Sequence, residues 1–84
     1  MDTVERTIQR AILRDLARWA TKRLRDGFKW VQIEDSKLRD YFPDGEHGLL
    51  EFCGRLKLKF RRVMDWDESR EKMIPVWRIF TKEF

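Results

Sequence analysis

Val4, Ile8, Ile12, Leu16, Ala20 and Leu24 recur at every fourth position, and Ala11, Leu13, Ala17 and Trp19 broaden the stripe they make. Such spacing predicts an amphipathic α-helix over residues 2–25. Asp2 is placed to cap it, Glu5 follows three residues later, and Gly27 stands where a helix would stop. Residues 28–33 (Phe28, Lys29, Trp30, Val31, Gln32, Ile33) are rich in aromatic and β-branched side chains and predict a short strand. Glu34, Asp35 and Ser36 then offer caps for a short helix over residues 36–42, which Pro43 ends. A further helix is expected from Asp44, its cap, with Leu49, Leu50, Phe52, Cys53 and Leu56 on its buried side.

The pattern changes at Arg55. From there to Arg61 basic and apolar residues alternate without exception. An extended chain would bury Leu56, Leu58 and Phe60 and present Arg55, Lys57, Lys59 and Arg61 on its other face. On a helix the same residues would surround the cylinder. The strand continues through Val63, Met64 and Trp66, residues 67–72 form a polar loop, and residues 73–80 return as the second arm of a hairpin. Pro75 lacks an N–H, so the returning strand is expected to be an edge or to carry a bulge. The expected core sets Ile8, Ile12, Leu16 and Trp19 against Leu38, Phe42, Leu50, Trp77 and Ile79.

Composition changes this picture at a few points. The 84 residues make one domain, 1–84, and 13% aromatic content supplies a core despite 40% charged residues. The formal charge is +4, and five of the eight residues 55–62 are basic with none acidic. A second basic row, Arg6, Arg10, Arg14, Arg18 and Lys22, runs along the first helix about 200° from the apolar one. It either solvates that helix or binds an anion. One cysteine leaves no intramolecular disulfide, and Cys53 with the single His47 cannot make a four-ligand zinc site without carboxylates or a second chain. With no glycine-rich phosphate loop and no paired carboxylates at a catalytic spacing, a non-enzyme without cofactor or metal is expected. No apolar run reaches the ~18 residues that span a bilayer, so no membrane partner is expected and the chain reads as cytoplasmic.

Helix, short strand, two short helices and a C-terminal hairpin is an order that resembles the winged helix-turn-helix family. Residues 30–38, Trp30 through Leu38, look like the strand leading into that fold's second helix. The resemblance implies an α+β fold whose third helix, here residues 44–56, enters the DNA major groove and presents His47, Glu51 and Arg55. It implies a wing touching the backbone or minor groove, with Ser69, Arg70 and Lys72 at its tip. Lys57, Lys59, Arg61 and Arg62 would meet phosphates. The implied function is a small DNA-binding regulator or accessory protein with double-stranded DNA as partner. Glu46 and Glu51 on the presumed reading helix keep a second reading open: an adaptor or inhibitor, of viral or mobile-element origin, docking an acidic protein surface. Pairing of two copies through the first helix at Trp19 would also suit the family. The competing fold is a plain α+β unit, one long helix across a three-stranded sheet, in which residues 44–53 form no docked helix.

Overall fold

The computed structural model describes residues 3–81; the expected cap at Asp2 lies outside them. Helix α1 spans Thr3–Arg25 and strand β1 spans Val31–Glu34. A 3-10 turn at Asp35–Lys37 leads into the single-turn helix α2, Leu38–Tyr41, and helix α3 spans Glu46–Leu56. Strands β2, Lys59–Asp67, and β3, Lys72–Phe80, complete an antiparallel sheet of order β1-β3-β2. The chain is therefore α+β, with a long N-terminal helix and a C-terminal hairpin.

The segment expected to begin at Asp44 does form a docked helix, starting at Glu46. Leu49, Phe52 and Cys53 of α3 share one buried cluster with Leu16 and Ala20 of α1, Leu38 and Phe42 around α2, and Val31, Ile33, Trp77 and Ile79 of the sheet. Gly48 explains how closely α3 settles. A Cβ at that position would lie 3.0 Å from the Cβ of buried Phe42. Phe42 in turn meets the Phe52 ring edge-on at 5.3 Å. Gly45, with φ 65°, takes the N-cap position expected for Asp44, because the chain must reverse tightly after Phe42.

Alanine at Gly54 and alanine at Gly48, both within α3, have opposite expected effects. Gly54→Ala adds a Cβ into open space and should raise stability by up to about 1 kcal/mol through helix propensity. Gly48→Ala should lower it, since overpacking against Phe42 costs about 1–3 kcal/mol and the Phe42 Cβ, next to backbone, cannot swing aside. Urea denaturation of both variants measures the difference.

The core corrects the expected face of α1. Leu16 and Ala20 are buried and Leu13 and Ala17 pack against them, but Ile8 is 55% exposed and Trp19 is also exposed. Leu50 of α3, expected inside, is 55% exposed. A four-residue step overshoots the helical repeat by about 40°. From Val4 to Leu24 the row therefore drifts by about 200°, and only its second half can face one core.

The alternating run is divided in the same way. Arg55 and Leu56 end α3, Lys57 adopts the left-handed region with φ 58°, and β2 begins only at Lys59. The Leu58 N–H donates to the Cys53 carbonyl at 2.8 Å and the Lys57 N–H to Gly54 at 3.3 Å, closing the helix in a Schellman-type turn. Leu56 is consequently exposed rather than buried, while Leu58 and Phe60 are half-buried. The helical spacing of Leu49, Phe52, Cys53 and Leu56 carries the helix through the first two residues of the alternation.

Three smaller expectations also change. The first strand starts at Val31, not at 28, and Trp30 instead lies under the Arg78 guanidinium at 4.3 Å. The helix expected over residues 36–42 divides into the 3-10 turn and α2. Pro75 sits in the central strand with no bulge, its register partner being Met64. β1 pairs only with residues 76–79 of β3, so at Pro75 the strand is a local edge and a missing N–H costs no ladder bond on that side.

Candidate nucleic-acid interface

With Leu49, Phe52 and Cys53 turned inward, α3 exposes His47, Leu50, Glu51, Gly54 and Arg55. His47, Glu51 and Arg55 follow one another at four-residue steps along that face. The His47 Nε2 lies 3.5 Å from Glu51 Oε1, so the carboxylate has a partner whenever the imidazole is protonated. Pairs this exposed contribute little to stability.

Arg55 also lines a groove of about 510 Å³ between α3 and α1. Arg10 and Arg14 of α1 line the same groove; Leu13, Ala17, Phe42 and Phe52 give it an apolar floor, and Asp44 and Glu51 are its acidic members. Arg6 and Arg18 extend the α1 row beyond it. Among the described residues, Arg6, Arg10, Arg14 and Arg18 are exposed and make no ion pair. Arg10 and Arg14 belong to the first-helix row that either solvates the helix or binds an anion, and are not among the residues the winged-helix resemblance implies. Their four-residue spacing is visible in the sequence, but their meeting with Arg55 depends on where α3 docks.

The expected cationic strand face does not form as one row. Cross-strand partners share a face, and Phe60 and Arg62 pair with the core residues Ile79 and Trp77. Phe60, Arg62, Met64 and Trp66 therefore point to the helix side. Lys59, Arg61, Val63, Asp65 and Asp67 point to the other side, where Arg61 lies 5.1 Å over the ring of buried Phe80. Lys57 stands apart in the turn. On the helix side, Arg62 Nε lies 3.5 Å from Asp35 Oδ1, an atom that also accepts from Trp77 Nε1 at 2.8 Å.

The hairpin tip is committed internally. Arg70 Nη1 contacts Glu34 Oε1 at 2.8 Å and Asp67 Oδ2 at 3.2 Å. The Ser69 hydroxyl donates to Asp67 Oδ1 at 2.7 Å and its N–H at 3.0 Å, and these bonds, with Arg70 beside them, hold the Asp67 carboxyl below the ordinary range. Lys72 stands opposite Asp67 in the ladder. Of the expected site residues, then, the fold brings His47, Glu51 and Arg55 onto one face and disperses Lys57, Lys59, Arg61, Arg62, Arg70 and Lys72.

Cys53 is buried and burial pushes its thiol up to about 11, so it stays protonated near neutral pH. Among the described residues no group of three His, Cys, Asp or Glu side chains could hold a metal ion, and no helix is long and apolar enough to cross a membrane. Comparison of the chain with protein-family models, with curated proteins and with solved structures finds no match.

Proposed function

We propose that this chain is a non-enzymatic, cytoplasmic winged-helix module that binds double-stranded DNA, as a small regulator or accessory protein, and that it holds one phosphate strand along the groove between α1 and α3. The convergence of Arg10, Arg14 and Arg55 on that groove carries the reading. Three arginines line the groove against two carboxylates, Asp44 and Glu51, and the surplus positive charge would hold a polyanion and release its counterions. On the exposed face of α3, Glu51 as an acceptor from cytosine and His47 would face base edges, while Arg55 joins the phosphate contact. Gly54, with open space above it, allows close approach of a backbone.

An electrophoretic shift with random duplex DNA at about 50 mM and about 200 mM salt tests the reading. Binding at the lower salt that falls steeply at the higher supports it. No shift at the lower salt rejects it. The second reading, a protein-interaction adaptor, then takes its place. One observation favours that alternative: Met64, Trp66 and Met73 stand exposed together on the helix side of the hairpin.

A further inference from the structure

β2 is an edge of the sheet: the strand order is β1-β3-β2, and β3 lies on one side of it alone. Its nine residues contain no proline or glycine and pair with β3 one to one, without a bulge. Long, regular edges of this kind are normally blunted by charge, proline, a bulge or a covering element. The face of β2 turned away from the helices reads Lys59, Arg61, Val63, Asp65, Asp67. Two cations precede Val63 and two carboxylates follow it, at equal spacing.

We propose that the protein forms a homodimer in which β2 pairs antiparallel with β2 of a second copy, centred on Val63, to give a continuous six-stranded sheet. In that register Arg61 faces Asp65 of the second copy and Lys59 faces its Asp67. On the other face Phe60 meets Trp66 and Arg62 meets Met64. Each contact occurs twice, as a closed two-fold interface requires. Neighbouring registers fail on charge or on fit. Centring on Arg62 sets that guanidinium against its own copy, and centring on Met64 leaves Lys59 without its carboxylate. A parallel arrangement would place every charge on its like. Met64 and Trp66, 51% and 54% exposed in the single chain, gain cross-strand cover. Lys59, Arg61 and Asp67 also have contacts within their own chain, so what selects the register is the order of signs along the strand.

The surface used is the β2 edge and not the α1–α3 groove, so this dimer stands or falls apart from DNA binding. Sedimentation equilibrium of the full chain should give twice the 10.4 kDa monomer mass at micromolar concentration. Asp65→Arg, which faces Arg61 of the second copy with a like charge at two places, should weaken association by roughly tenfold or more. Combining it with Arg61→Asp should restore the dimer. Because Asp65 also contacts Arg78 and Gln32 in its own chain, a second measurement does not rely on it. Val63 meets itself at the two-fold axis, with Cα atoms about 4.5–5.5 Å apart, within reach of a disulfide. Oxidised Val63→Cys should therefore link two chains, while Ser69→Cys in the hairpin turn, and the wild type with its buried Cys53, should not. A monomer at every concentration, a dimer indifferent to Asp65→Arg, or Val63→Cys linking no faster than Ser69→Cys would each overturn the proposal; the second result would move the contact elsewhere, to the exposed Trp19 of α1 for instance.

Discussion

Replacing Phe42 by alanine is expected to lower the unfolding free energy by about 3–5 kcal/mol, read from urea denaturation. Phe42 is 2% exposed and closes the short α2 helix. Its ring lies edge-on to Phe52, and the backbone of Gly48 passes directly over its Cβ. The cavity left by truncation cannot collapse easily, because α3 is already at closest approach and the Phe42 N–H is held by the Leu38 carbonyl at 2.9 Å. Such a loss would take a large part of the stability usual for a domain of this size. Ile8→Ala, on the exposed part of the α1 row, should by contrast stay within about 0.5 kcal/mol. Equal losses at the two positions would mean that α1 buries the face its four-residue row suggests, and that the observed packing of α3 on Phe42 contributes little.

The second large effect concerns the groove. Changing Arg10, Arg14 and Arg55 together to alanine should weaken binding to duplex DNA by on the order of a hundredfold, at about 1 kcal/mol for each lost phosphate contact. The loss should be similar for unrelated sequences, since phosphate contacts position the protein without reading bases. The slope of log affinity against log salt should flatten by roughly 0.9 per lost contact, close to 2.7 in all. Lys59→Ala with Arg61→Ala should leave the slope nearly unchanged, since both side chains lie on the sheet face turned away from α3. A slope unaltered in the triple variant would reject the groove as the phosphate contact. A slope lost instead with Lys59 and Arg61 would return the contact to the strand.

Much of the architecture is legible in local spacing. The long first helix, the docked helix carrying Leu49, Phe52 and Cys53, and the hairpin with its polar turn all follow from apolar periodicity and the residues that interrupt it. Where two periods overlap, the outcome is not legible. Residues 55–58 satisfy both the helical spacing begun at Leu49 and the alternation that ends at Arg61. The competition is settled by burial of Phe52 and Cys53 in the shared core and by the Schellman-type turn at Lys57, neither of which depends on the alternating residues. No single cationic row forms, because the helical period governs Arg55 and Leu56 and the strand begins only at Lys59. The site shows the same division. His47, Glu51 and Arg55 share a face by helical spacing alone, whereas Arg10 and Arg14 join Arg55 from forty residues away in the chain.

By itself the sequence determined the kinds of element and their order, and it determined the sign pattern centred on Val63, because those properties are set by neighbours a few residues apart. Tertiary structure decided which side of each element is buried and which distant charges share a groove. The physical reason is the drift of side-chain direction along a helix. A row at four-residue steps turns through more than half the cylinder over the length of α1, so only the position of the sheet and of α3 selects the half that becomes core. The same placement leaves Val4, Ile8 and Trp19 in solvent and brings the α1 arginines to Arg55. It also puts β3 at the centre of the sheet, and that leaves β2, with its self-complementary charges, as the edge.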